Sequence, residues 1–148
     1  MKKLIVVAAV AMAVLQPLSA GAASECYSPI AVEAEQGVRF LIDLMVASTA
    51  CRDQSYGLFQ QRNKETVLYY QKAMIAHFHG NAGYDRWDTM LANEASLKEA
   101  GKSSPQACQE AADLIKAAAT MDDKAFRAYS ASQAATVAAT GRYPKCGR

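Results

Sequence analysis

The sequence predicts an all-α fold, a disulfide-stapled bundle of four to five helices. Three observations carry this. Apolar residues recur at three- and four-residue steps in five successive segments. No segment shows sustained alternation of apolar and polar residues, and β-branched residues are sparse. An export signal is followed by an even number of cysteines, Cys26, Cys51, Cys108 and Cys146.

The chain opens on Lys2 and Lys3, then the apolar run "LIVVAAVAMAVL", then small residues in "SAGAAS". This order reads as a signal peptide, and the apolar run is too short for a comfortable membrane span. Ala20 and Ala22 match the A-x-A pattern, which predicts a cleaved segment 1–22, with a cut after Ala23 as the alternative. An uncleaved anchor fits less well because the run ends at Pro17, and a lipidated Cys26 is disfavoured by the bulky acidic Glu25 before it. Residues 23–148 are then expected to form a single helical domain with one core, in the bacterial periplasm or secreted.

Loss of the signal changes the charge balance. The full chain has 16 basic and 14 acidic residues; without Lys2 and Lys3 the balance is 14 to 14. No basic block remains to suggest nucleic acid or an anionic membrane surface. The mature part contains no second apolar stretch near the length of a transmembrane helix.

The first helix is expected over Ala31–Cys51. Val38, Leu41, Ile42, Met45 and Thr49 lie along one face, which Phe40, Leu44 and Ala47 widen. The polar stripe through Gln36, Arg39 and Asp43 is narrow, and Arg39 could pair with Asp43 four residues on. A helix apolar over most of its circumference is surrounded by others, so this one is expected at the centre. "RDQSYG" is the following turn, and a long second helix is expected from Tyr56 to His79. Its core side would carry Val67, Gln71, Met74, Ile75 and Phe78; Tyr69, Ala73 and Ala76 would face the other way.

The third helix begins at "YDRWD", with Tyr84, Trp87, Leu91 and Ala95 on one face and Gly101 as the stop. The fourth begins at "SSPQAC", Ser104 serving as N-cap and Pro105 as first residue. Asp122 is the expected N-cap of the fifth, whose core face carries Phe126, Tyr129, Gln133 and Val137. "TGRYPKCGR" is a coil tail.

Four cysteines allow three pairings, and wide spacing argues against a metal site or C-x-x-C-H haem attachment. Cys26 and Cys146 sit near the two ends of the mature chain, Cys51 ends the first helix and Cys108 begins the fourth. This order favours a nested arrangement, Cys51–Cys108 inside Cys26–Cys146. Loop entropy alone would make each bridge worth about 4–5 kcal/mol.

"MIAHFHGNAGYDRWD" holds the densest set of chemical side chains. His77 and His79 are two residues apart, about 200° around a helix, and cannot share one ion there. The segment reads as a helix end: histidines at the negative terminus, Gly80 as left-handed cap, Asn81 and Gly83 in the turn, Asp85 and Asp88 at the next positive end. Nucleotide and nucleophile-elbow motifs are absent. Glu33/Glu35 and Asp122/Asp123 lie near helix starts, where surface carboxylates are ordinary. Met45, Met74 and Met90 read as core filler rather than haem ligands.

With "LMVASTACR" ending the first helix and "TMLANEAS" in the third, the chain resembles a family of small exported bacterial helical proteins of uncharacterised function. The likeness spans about Ala34 to Cys108. Some such proteins carry the label S-adenosylhomocysteine hydrolase. This chain is too short for that activity, is read as exported and has no dinucleotide-binding glycine pattern. The functional expectation is therefore a non-enzymatic exported domain, without cofactor, binding a protein or envelope component, with Tyr69, Ala73 and Ala76 as the nominated interface. The alternative is a small bundle holding haem or a metal ion through His77 or His79.

Overall fold

The computed structural model describes residues 26–144 and 146. The expected signal segment 1–22 lies outside them. Among the described residues the chain forms six helices: α1 (Pro29–Cys51), α2 (Ser55–Arg62), α3 (Lys64–His77), α4 (Asn81–Glu99), α5 (Ser104–Thr120) and α6 (Asp123–Ala139). The all-α bundle expected from periodicity is present, and both expected disulfides close it. Cys26 bonds Cys146 and Cys51 bonds Cys108, with Cα separations of 4.6 and 5.2 Å.

α1 is the central helix and packs against all five others. Ser28 caps it, its hydroxyl accepting from the Ala31 amide at 3.2 Å, and Pro29 occupies the first turn, where its missing amide proton costs nothing. Ala34, Val38, Leu41 and Leu44 form its most buried line, widened by Phe40, Ile42 and Ala47. Met45 is half-buried and Thr49 exposed, so the core face is rotated from the expected one toward Leu44 and Ala47. At its end Arg52 adopts a left-handed conformation (φ 56°). The Arg52 amide donates to the Thr49 carbonyl and the Asp53 amide to that of Ser48. That is a Schellman closure without the usual glycine.

The expected second helix is two helices. It breaks at Asn63, which is fully buried and leaves helical geometry at φ −109° and ψ 27°. The Asn63 side-chain amide donates to the carbonyls of Phe59 (3.0 Å) and Met121 (3.2 Å), and the Arg62 guanidinium donates to those of Ala118 (3.0 Å) and Ala119 (2.9 Å). The junction thus satisfies carbonyls at the α5 C-terminus that would otherwise lack donors. α4 starts three residues before the expected position, at Asn81. α5 is capped by Ser103 rather than Ser104, whereas Asp122 caps α6 as expected, accepting from the Ala125 amide at 2.8 Å.

The core centres on an aromatic cluster. Phe59 and Phe126 meet edge to face at 4.9 Å between centroids, with Phe40 at 5.2 and 5.6 Å from them and Tyr70 at 5.5 Å from Phe126. Phe59, Tyr70 and Phe126 are fully buried, and burial of each such side chain stabilises by roughly 1.5–3 kcal/mol. Gly37 makes the close approach of α3 and α6 to α1 feasible: a Cβ there would overlap the Tyr70 ring and lie 3.2 Å from Ser130 Oγ. Trp87, Leu91 and Ala95 bury one side of α4 as expected. Met74 is fully buried, but Met90 is 56% exposed and is not core filler.

Candidate functional site

The first turn of α1, the C-terminal half of α6 and the tail enclose a groove of about 580 Å³. Ser28, Pro29, Val32 and Glu33 form one wall. Ala131, Ala134, Ala135 and Ala138 form the other, at the spacing that aligns residues on one helix face. Tyr27, Tyr143 and Cys146 complete the lining. The volume falls within the range of small-molecule sites, and the lining is mostly apolar, as such sites are.

The tail is held by polar contacts as well as by its disulfide. The Tyr27 amide donates to the Pro144 carbonyl at 2.8 Å, and the Tyr27 and Tyr143 rings meet edge on at 4.7 Å. The Tyr143 hydroxyl donates to Glu35 Oε1 at 2.8 Å and accepts from the Gln36 side-chain amide at 3.1 Å. Glu35 is only 2% exposed, and Arg39 Nε donates to the same Oε1 at 2.8 Å. Two expectations are corrected here. Arg39 pairs toward the N-terminus with Glu35, not with Asp43, and Glu35 is a buried carboxylate rather than a surface one. A charge so placed requires close partners, and Arg39 and Tyr143 supply them.

Glu33 lines the groove and accepts from the Tyr70 hydroxyl at 2.8 Å. Two residues along α1, Glu33 and Glu35 point about 200° apart, so they do not converge as a paired-acid catalytic site would. Burial first, and then the neighbouring Glu35 carboxylate, push the pKa values of Tyr27 and Tyr143 upward. Burial raises that of Tyr70 as well. These phenols hold their protons at neutral pH and act as donors.

The surface nominated from sequence is only partly open. Tyr69 is 42% exposed, but Arg127 of α6 lies over its ring, 4.7 Å from the centroid. Ala73 is half-buried against the core and Ala76 is exposed. His77 is half-buried against the rings of Tyr27 (4.1 Å) and Phe78 (4.7 Å). His79 is exposed, and it rather than Gly80 takes the left-handed cap position (φ 55°). The Gly80 amide donates to the Ile75 carbonyl and that of His79 to Ala76, a second Schellman closure. Asn81 and Gly83, expected in the turn, belong to the first turn of α4. Among the described residues, no group of three or more His, Cys, Asp or Glu is placed to hold a metal ion.

The chain matches no protein-family model, no curated protein and no solved structure. The two segments quoted above from α1 and α4 hold structural residues. In "LMVASTACR", Leu44 is core, Cys51 is bridged, and the Ser48 hydroxyl donates to Asp53 Oδ1 at 2.8 Å across the α1–α2 turn. In "TMLANEAS", Leu91 and Ala95 are core. Sequence reasoning missed Glu33, Glu35, Tyr27 and Tyr143 as a group. The only signal was the helical spacing of alanines in "SASQAATVAAT", which has no meaning until the opposite wall is known.

Proposed function

We propose that this chain is a non-enzymatic, exported binding domain that takes an apolar envelope component into the groove between α1 and α6. The observation that carries the reading is the groove itself: an alanine-faced channel beside the first turn of α1, ending on two tyrosines pinned by a disulfide. Alanines allow close approach of a hydrocarbon without competing hydrogen bonds, and apolar area removed from water is the driving term. Binding rather than catalysis fits the polar groups at hand. Tyr143 is engaged with Glu35, and Glu33 with Tyr70.

Two disulfides accord with an oxidising compartment, and the signal-like N-terminus points to the periplasm. Among the described residues, no helix is long and apolar enough to cross a membrane.

The test is native mass spectrometry of the protein released gently from the periplasm, beside Ala135→Phe, which fills the groove from an exposed position. A lipid-like adduct on the wild type, absent from the variant, is the expected result. An adduct retained by Ala135→Phe, or none on either protein, would reject the assignment.

A further inference from the structure

The groove has a chemically distinct end. Tyr27 and Tyr143 both line it, their rings are packed edge on, and the Tyr143 hydroxyl is committed to Glu35, which leaves ring surface rather than a phenol group for an occupant. The one charged side chain in the described lining is Glu33. The buried charge behind the tyrosines, Glu35, is paired with Arg39, so among the described residues the charge that the groove presents to an occupant is that of Glu33. Aromatic faces attract cations through the ring quadrupole, and a neighbouring carboxylate adds to that attraction.

From the tyrosine pair, Glu33 and the alanine wall we infer that the occupant is a single-chain amphiphile with an ammonium head, its chain lying along Ala131–Ala138. The inference rests on the groove being the binding site, and it adds the charge of the ligand. An anionic head of the same chain length would meet Glu33 with like charge and no compensating positive charge in the described lining. A neutral head would gain the apolar contact alone. The cation gains both. Glu33 has a second duty as acceptor for Tyr70, and a carboxylate with two oxygens can serve both partners.

Calorimetric titration of the full mature chain with dodecyltrimethylammonium, dodecyl maltoside and dodecyl sulfate, each below its micellar concentration, tests this. The cation is expected to bind about tenfold more tightly than the maltoside, and the sulfate more weakly than either. Glu33→Gln is expected to remove most of the cation's advantage over the maltoside. Ala135→Phe, or Ala138→Phe as a second exposed position, is expected to abolish binding of all three. Equal affinity for cation and maltoside, with both lost in Ala135→Phe, would overturn the charge inference and leave the groove assignment standing. Binding that survives both alanine variants would overturn the groove assignment itself.

Discussion

The Tyr143 hydroxyl donates to Glu35 Oε1 at 2.8 Å, joining residues 108 apart in the chain. This bond fastens the tail to the central helix and fixes the place of the Tyr143 ring in the lining of the groove. Tyr143→Phe removes it together with the bond from Gln36, and leaves Glu35 with one donor fewer in a buried setting. The expected cost is about 1.5–3 kcal/mol, because the acceptor is charged. Urea denaturation would measure it; an unchanged midpoint would mean that the tail contact is not maintained in solution.

The outer bridge holds the same end. Removing it as Cys26→Ser/Cys146→Ser is expected to cost about 2–5 kcal/mol. Helix content by circular dichroism should stay near the wild-type value, since α1 through α6 keep the Cys51–Cys108 bridge and the aromatic core. Ligand affinity should fall with the loss of an ordered tail. Retained affinity would show that Tyr27 and Tyr143 do not form part of the site.

Gly37 lies inside α1, where alanine would ordinarily be the better helix former by about 1 kcal/mol. Here the added methyl meets the Tyr70 ring, and overpacking of this kind costs about 1–3 kcal/mol. Gly37→Ala is therefore expected to destabilise. In a Tyr70→Ala background the same change should become neutral or stabilising, and a thermodynamic cycle would expose the sign reversal. Additive effects would contradict the packing.

Arg52 and His79 both occupy left-handed positions that glycine adopts at no steric cost. Arg52→Gly and His79→Gly are each expected to raise stability by about 1 kcal/mol. A loss of stability in either would mean that the native side chain makes contacts worth more than its backbone strain.

The tyrosines set the response to alkali. Burial raises the pKa of Tyr27, Tyr56, Tyr70, Tyr84, Tyr129 and Tyr143 above the ordinary value of 10.0. Above that value the unfolded chain loses protons that the folded one retains, so stability falls as pH rises. Their contribution is fully present below pH 10 and is lost as pH climbs through the raised folded values. Phenolate absorbance should therefore lag below unfolding and then rise together with the loss of helix. Early, uncoupled ionisation of all the tyrosines would refute the burial.

Much of the fold was legible in the sequence because its signals are local. Asp122 and the apolar spacing of α1 and α4 act within a few residues of themselves, and the cysteine order reflects the order of helices. The break at Asn63 was not legible. No glycine or proline marks it, and it depends on carbonyls at Phe59 and Met121, the second of which is supplied by the α5–α6 turn. Burial of Glu35 was hidden for a similar reason, since one of its donors comes from the tail. The Arg39–Asp43 pairing failed because two geometrically allowed partners competed, and tertiary packing selected Glu35.

The groove is the claim on which the functional account stands, and mapping amide shifts tests it most directly. Two-dimensional NMR of the mature protein, titrated with dodecyl maltoside, should move the resonances of Val32, Glu33, Ala131, Ala134, Ala135 and Ala138 and leave those of Leu68, Tyr69 and Ala76 in place. Shifts centred on Tyr69 and Ala76, with the alanine wall of α6 unmoved, would contradict it.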